Sequence, residues 1–379
     1  MKKKLLMTPG PTSTPSEVLL AMAKPIIHHR TEEFKAILKE TNEGLQYLFQ
    51  TKNPVVMFSA SGTGAMEAAV VNLLSRNDLA LVVRGGKFGE RWGEICEAYG
   101  MKPLYIDVEW GHAVDPVAIQ SALKEHPEIK AVFTTLCETS TCVRNDIEAI
   151  GKTVADTAAV LVVDAISGLC ADDLKTDEWS VDVAVSGSQK GIMLPPGLSF
   201  ASISPKAQQL IVNSNLPKFY LSFQKALKSL AKTDTPFTSA VSLIYGLREA
   251  IRMIRAEGIA EVIRRHSRLA RATREAAEAL DLSLFSKAPS NVATAVQMPG
   301  GIDADVLRKK LTGAFGISFA GGQDKLKGNI IRVAHLGYCA ESDVLTAVSA
   351  LEIVLNKMGY SAKPGTAAAA AERVFTQQL

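Results

Sequence analysis

The chain has 379 residues, 47% of them hydrophobic and 21% charged, a balance that supports a sizeable packed core and excludes wholesale disorder. Its formal net charge is only +3, with no basic cluster beyond Lys2, Lys3 and Lys4, so nothing argues for a nucleic-acid partner. No apolar run approaches the roughly 20 residues of a membrane helix, and Leu5, Leu6 and Met7 are too few for the roughly 7–15 apolar residues of a signal peptide; the expectation is a cytoplasmic protein without a membrane partner.

Length alone suggests two or three domains, or one large domain with a smaller companion. The cysteines, at 96, 137, 142, 170 and 339, are odd in number and include no CxxC pair, so neither a disulfide framework nor a zinc site is expected.

Taken in order, PVVMF (54–58) reads as a strand, and GAMEAAVVNLL (64–74) as a helix with Met66, Val70, Leu73 and Leu74 on one face. LALVV (79–83) is a strand, GERWGEICEAYG a helix and PLYIDV a strand. In DPVAIQSALKEH, Asp115 is placed to cap a helix whose first position is Pro116. AVFTTL (131–136), AAVLVVDA (158–165) and VDVAV (181–185) are strands, with the helix IEAIGKTVADT between the first two. GLSFASI (197–203) is a candidate antiparallel strand.

Strands such as AVLVVD are apolar on both faces, as parallel strands covered by helices on each side must be. The alternation therefore predicts an open, mainly parallel α/β sheet with right-handed crossovers. Residues 239–280 form a long helical stretch with a break expected near Gly258. Short strands follow in LSLFS and NVATAVQM, then a helix DADVLRKKLT, a strand NIIRVAH and a helix ESDVLTAVSALEIVLNKMG. These make a small α+β domain, with the Ala-rich tail expected to be a loosely attached helix.

Ligands of open α/β sheets sit beyond the carboxyl ends of the strands. Five loops bring chemistry there: SASGTG (59–64), RGGKFGER (84–91), CETST (137–141), Asp164 and SGSQK (186–190). SGTGAME opens a helix whose N–H groups make a phosphate site, although a plain helix cap reads the same way. Asp164 ends a buried strand, where a carboxylate is costly unless paired; it reads either as a turn or capping aspartate or as the counter-ion of a cation such as a protonated ring nitrogen. Lys190 stands among small residues; a desolvated lysine beside another cation loses its proton readily and attacks carbonyls. A phosphate loop, a carboxylate for a ring nitrogen and a nucleophilic lysine are the parts that pyridoxal phosphate requires. Phe88 reads either as core or as an aromatic plate on the cofactor ring. Arg332 lies inside an apolar strand, either in a structural ion pair or as a fork for a substrate carboxylate. His28, His29 and His335 read as structural or pocket-lining, since no HExxH spacing occurs.

These residues resemble the class V, fold-type I aminotransferases, in particular the alanine–glyoxylate, serine–glyoxylate and serine–pyruvate group. The resemblance runs over roughly residues 5 to 360, through TPGPT (8–12), SASGTGAMEAA (59–69), GKFGERW (86–92), ETST (138–141), VVDAISG (162–168), SGSQK (186–190) with PPG (195–197), TPFTSAVSLIYGLRE (235–249) and IRVAHLG (331–337). It implies a seven-stranded-type sheet between helices with a smaller C-terminal α+β domain. The expected division is 1–20 as a segment lining the active site, 21–260 as the cofactor domain, 261–360 as the small domain and 361–379 as the tail. By the same resemblance Lys190 holds pyridoxal 5'-phosphate covalently and then acts as general base. Asp164 meets the ring nitrogen, Phe88 stacks on the ring, and Thr139 lies beside the phenolic oxygen. Ser61, Gly62, Thr63 and Gln189 take the phosphate. Thr235 and Thr238 reach it from the second subunit of a homodimer. Arg332 clamps the substrate carboxylate and Gly10 lines the pocket.

This chain has LCETSTC where many relatives have HGESSTG, and Thr235 stands where some have Tyr. The implied reaction is ping-pong transfer of an amino group from a small L-amino acid (alanine, serine or aspartate) to glyoxylate or pyruvate. Two enzymes of the same fold stay open, a cysteine desulfurase, on account of Cys339, and an aminoethylphosphonate transaminase. Gln189 stands where desulfurases usually carry a histidine. A degenerate, non-catalytic fold would have lost Lys190 or Asp164, and both are present.

Overall fold

The computed structural model describes residues 3–377. The chain begins with a short strand, β1 (Leu5–Met7), and two helices, α1 (Ser16–Met22) and α2 (Glu32–Phe49). The central layer then unfolds as β2 (Val55–Phe58), α3 (Gly62–Leu73), β3 (Ala80–Arg84), α4 (Lys87–Ala98), β4 (Leu104–Asp107), α5 (Pro116–Glu125) and β5 (Ala131–Thr135). A small hairpin, β6 (Cys137–Glu138) and β7 (Val143–Arg144), precedes α6 (Ile147–Ala155), β8 (Val160–Asp164), β9 (Val183–Gly187) and β10 (Ser199–Ile203). Four helices follow: α7 (Pro205–Asn213), α8 (Phe223–Leu230), α9 (Val241–Glu257) and α10 (Ile259–Ala279). The rest is β11 (Ala293–Gln297), α11 (Ala304–Phe315), β12 (Ile317–Gly321), β13 (Ile330–Ala334), α12 (Glu341–Lys357) and α13 (Thr366–Thr376).

The large sheet has seven strands in the order β2-β10-β9-β8-β5-β3-β4. β4, β3, β5, β8 and β9 run parallel, while β10 runs against both β9 and β2, as its sequence suggested. Successive residues of a strand point to opposite faces. Accordingly Leu161 and Val163 join one apolar layer with α2, α6 and α9, and Val160 and Val162 join another with α3 and α4. Burial on both faces is why VLVVD carries no polar alternation.

Local chemistry sets the helix starts. Asp115 accepts from the Val117 N–H with Pro116 next to it, and Asp146 and Ser204 cap α6 and α7 in the same way. Gly258, at φ +89°, separates α9 from α10 where the sequence placed a break.

The second sheet has the order β1-β12-β13-β11, so the N-terminal strand lies parallel to β12, more than three hundred residues away in sequence. That strand, at 317–321, and the helices over 16–22 and 32–49 have no counterpart in the sequence reading. Two expectations are corrected here. LSLFS forms no strand, only a single bridge from Leu284 to Val296. Nor is the Ala-rich tail loosely attached: Ala367, Ala370, Ala371, Val374 and Phe375 of α13 are buried in the small core against α10 and α12. Its alanines let it approach closely, and the buried Glu352 carboxylate accepts from the Gly365 and Ala367 N–H groups at 2.7 and 2.9 Å, which fixes its start.

Candidate active site

The carboxyl ends of β2, β3, β5, β8 and β9 converge on one edge of the large sheet, where the loops with polar and glycine residues lie. Lys190 follows β9 by three residues. Its Nζ donates to the Pro9 carbonyl at 2.5 Å, and a β-carbon at Gly10 would overlap that Nζ. The N-terminal turn thus covers the lysine, and it is locked there by the Thr12 hydroxyl, which donates to the Lys190 carbonyl at 3.1 Å. Gly337, after β13, packs on that same carbonyl; its N–H donates to His266 Nε2 at 2.8 Å.

Asp164, at the end of β8, is 4% exposed, and its Oδ1 accepts from the Ile166 N–H at 2.7 Å. Burial pushes its carboxyl up to about 7, against the pull of that N–H and of the Lys190 and Arg91 charges. Burial likewise pushes Lys190 down to about 8, opposed by the Asp164 charge and aided by Arg332 and Arg91. The two groups feel each other, and both have been moved toward neutrality from opposite ends of the scale.

Ser61 caps α3 by backbone only and makes no side-chain capping bond, so the first turn, Gly62 and Thr63, keeps its N–H groups open. A β-carbon on Gly187 would stand 3.2 Å from Gln189 Oε1 and 3.3 Å from the Gly62 nitrogen, which places the Gln189 amide beside this helix start. Gln189 Oε1 is buried without a hydrogen-bond partner. An open helix N-terminus and a glycine cradle, joined by the Gln189 amide when it is turned so that Nε2 takes the place of the orphaned Oε1, form a donor set suited to a phosphate monoester.

Phe88 lies in the first turn of α4, and Arg91 stands over its ring with 4.9 Å from guanidinium carbon to centroid. Gly86, the residue before α4, has no capping side chain. The cap comes instead from Glu138: its carboxylate accepts from the Phe88 and Gly89 N–H groups at 3.1 and 2.8 Å, and from the Ser140 hydroxyl at 2.5 Å. Glu138 therefore ties Phe88 to the loop that carries Thr139, while its burial pushes its own carboxyl up.

Arg332 is 6% exposed. Its Nε donates to the Gly321 carbonyl at 2.9 Å and its Nη1 to the Thr139 carbonyl at 2.7 Å. Its hydrogen-bond partners are carbonyls and not carboxylates, so the structural ion-pair reading of the sequence has no counterpart among the described residues. Burial lowers the affinity of this guanidinium for its proton, as expected of a cation without a bound anion.

The structure thus links ten of the twelve residues singled out from sequence: Gly10, Ser61, Gly62, Thr63, Phe88, Thr139, Asp164, Gln189, Lys190 and Arg332. Thr235 and Thr238 are in the loop between α8 and α9, lining a pocket with Phe58, Ser59 and Leu198, and no hydrogen bond joins them to the ten among the described residues. Thr235 donates to the Phe237 carbonyl within its own loop, and Arg30 holds the loop through Asp234 and the Thr235 carbonyl. Glu138 and Arg91 were missed. An uncapped helix start at Gly86 was the available signal for the first, because those N–H groups need an acceptor from elsewhere.

Cys339 is buried, and its thiol is pushed up to about 12, the opposite of what a nucleophilic cysteine requires. His335 is buried between the Asn291 carbonyl and the Thr294 hydroxyl. Among the described residues, no three or more His, Cys, Asp or Glu side chains gather where they could hold a metal ion, and no helix is long and apolar enough to cross a membrane.

Comparison with known proteins shows the family. The family model for aminotransferase class-V matches residues 5–327. The soluble hydrogenase small subunit of Synechococcus sp. (strain PCC 6716) is 46% identical, with 99% of each chain covered. The L-aspartate–glyoxylate aminotransferase of Paracoccus denitrificans is 34% identical over 98% of this chain and 96% of that one. The crystal structure of ureidoglycine–glyoxylate aminotransferase from Bacillus subtilis superposes with a TM-score of 0.94 at 30% identity, covering 99% of both chains.

Proposed function

The chain belongs to the class-V aminotransferases, and with that as premise we propose that it moves the amino group of a small L-amino acid (alanine, serine or aspartate) to glyoxylate or pyruvate. It is a pyridoxal-phosphate-dependent transaminase of the fold-type I architecture. The observation that carries the detailed reading is the pairing of Lys190 with Asp164 at the ends of adjacent strands, between an open helix N-terminus and a carboxylate-free arginine.

When bound, pyridoxal phosphate supplies a carbonyl that takes up the amino group and a pyridinium ring that draws electrons from the carbon being deprotonated. Lys190, through its Nζ, is the residue that would hold it covalently and that the donor amine would free. Lys190 Nζ, with its ammonium pushed down to about 8 so that a fraction is neutral at physiological pH, would take the proton from the donor Cα and return it on the cofactor side. Asp164 provides the negative charge opposite the ring nitrogen, in a site dry enough for that pairing to be strong. Phe88 offers its face to the ring, Thr139 its hydroxyl to the ring oxygen, and Ser61, Gly62, Thr63 and Gln189 the donors for the phosphate. Arg332 takes the α-carboxylate and so orients Cα toward Lys190. The donor leaves as a 2-oxo acid before the acceptor enters, and the same residues run in reverse to aminate it.

A homodimer completes the site in this reading, with Thr235 and Thr238 of each subunit reaching the other's phosphate. The support is that Arg30 fastens this loop through the Thr235 carbonyl, and that the Thr235 hydroxyl bonds only within the loop among the described residues. A cytoplasmic location fits five free cysteines. The names of the relatives with glyoxylate as acceptor support a small acceptor here; the hydrogenase name stays with the Synechococcus protein.

The experiment is a donor screen on the purified yellow protein. L-alanine, L-serine, L-aspartate, L-cysteine and aminoethylphosphonate are added separately and the visible band is followed. Bleaching by one of the first three, reversed by glyoxylate or pyruvate, is the expected result. Bleaching by aminoethylphosphonate alone, or sulfide release from cysteine, would overturn the choice of donor.

A further inference from the structure

Arg91 lies one turn beyond Phe88 on α4 and is half-buried. The structure gives its side chain two partners, the Phe88 ring and the Thr63 hydroxyl, whose Oγ1 accepts from Nη1 at 3.3 Å. No carboxylate pairs with it among the described residues. A guanidinium has five N–H donors and a full positive charge. Holding one in a half-buried place against a single hydroxyl and an aromatic face leaves most of that capacity unmatched.

The place is specific. Thr63 belongs to the first turn of α3, where the N–H groups are open and the Gln189 amide, whose Nε2 can donate when the group is turned over, stands alongside. Those donors are all neutral. A phosphate monoester carries close to two negative charges at neutral pH, and Lys190 is occupied with the Pro9 carbonyl on the other side of the site.

We propose that Arg91 is the charge partner of the phosphate seat and a positioning residue for it, acting through Thr63. The hydroxyl of Thr63 has one proton to give and lone pairs to receive. With Arg91 donating to Oγ1, a lone pair is taken and the Thr63 proton is directed away from Arg91, toward an anion at the helix start. The guanidinium charge adds to the field of the α3 N-terminus at the same point. Its position over Phe88 also holds the ring that is expected to stack on the cofactor. The same charge acts further into the site, lowering the proton affinity of both Lys190 and Asp164.

This rests on the reading of residues 61–63 as the phosphate seat, and the test separates the two. Protein freed of cofactor is titrated with pyridoxal phosphate and with pyridoxal, which lacks the phosphate, for the wild type, Arg91→Met, Arg91→Lys and Thr63→Val. Wild type should strongly prefer the phosphorylated ligand. Arg91→Met should weaken pyridoxal phosphate by about tenfold to a hundredfold, as loss of a charged hydrogen-bond partner does, and leave pyridoxal nearly unchanged. Arg91→Lys, which restores the charge, should recover most of that loss. The double variant with Thr63→Val should lose less than the product of the two single losses, since both act in one chain of donors. In the loaded enzyme, Arg91→Met should move the pH midpoint of the visible band upward, because a positive charge near the titrating nitrogen is gone. Equal weakening of both ligands would overturn the proposal in favour of a merely structural arginine, and no weakening of either would also overturn it. A wild type that binds both ligands alike would overturn the phosphate seat itself and the role of Arg91 with it.

Discussion

Gly10 and Lys190 are in contact: the backbone of the N-terminal turn runs so close to the lysine that a β-carbon at Gly10 would overlap Nζ. Gly10 also sits at φ +127°, a conformation that other residues adopt only with strain. Gly10→Ala is therefore expected to push Lys190 out of position, costing about 1–3 kcal/mol from the backbone strain alone. The variant should keep its far-ultraviolet spectrum, take up less pyridoxal phosphate and turn over at least about tenfold more slowly. Normal uptake and turnover would mean that the turn yields without consequence.

In the proposed function Lys190 would attack the cofactor's carbonyl only as the neutral amine. With its ammonium pushed down to about 8 by burial, the neutral fraction rises as pH rises through that value. The rate at which cofactor-free protein regains its visible band should thus climb about tenfold per pH unit below pH 8 and level off above it. A lysine at its ordinary value would keep climbing beyond pH 10, which a stopped-flow series across pH 6 to 10 distinguishes.

Asp164→Asn keeps the shape and removes the charge. Breaking a buried charge pairing costs about 3–5 kcal/mol, which corresponds to a loss of about a hundredfold or more in turnover. The half-reaction with the donor should suffer more than cofactor retention, because the phosphate seat on α3 is untouched. Single-turnover bleaching by the preferred amino acid measures it directly.

Arg332 spends two donors on the Gly321 and Thr139 carbonyls and still presents a planar fork. A lysine cannot hold both carbonyls and pair with a carboxylate. Arg332→Lys should raise KM for the amino donor by about tenfold to a hundredfold while kcat falls less. A fall in kcat with KM unchanged would assign Arg332 to the proton-transfer step instead of substrate docking.

The large sheet was legible because burial on both faces leaves an unbroken apolar run, and because Pro116 and Gly258 act through local backbone chemistry. The small sheet was less so: β12 lies at 317–321 in ISFAG, a short run between Gly316 and Gly322, and pairs with a strand from the other end of the chain. The tail misled for the opposite reason. Five successive alanines give no amphipathic pattern, yet small side chains are what close helix packing requires. In the site, Lys190, Asp164 and Arg332 announced themselves as charges among apolar or small residues. Arg91 did not, since an arginine on an amphipathic helix reads as a solvated face. Its partner Thr63 is twenty-eight residues away, and only the fold, which lays α3 on β9 and β10 and α4 on β3 and β5, brings the two helices together.

The central claim is that Lys190 carries the cofactor. The most direct measurement is reduction of the yellow holoenzyme with borohydride, followed by proteolysis and mass spectrometry of the peptides. The account expects the phosphopyridoxyl mass on the peptide containing SGSQK, at Lys190 and no other lysine. A label on a different lysine, or no label on a protein that keeps its colour, would contradict it.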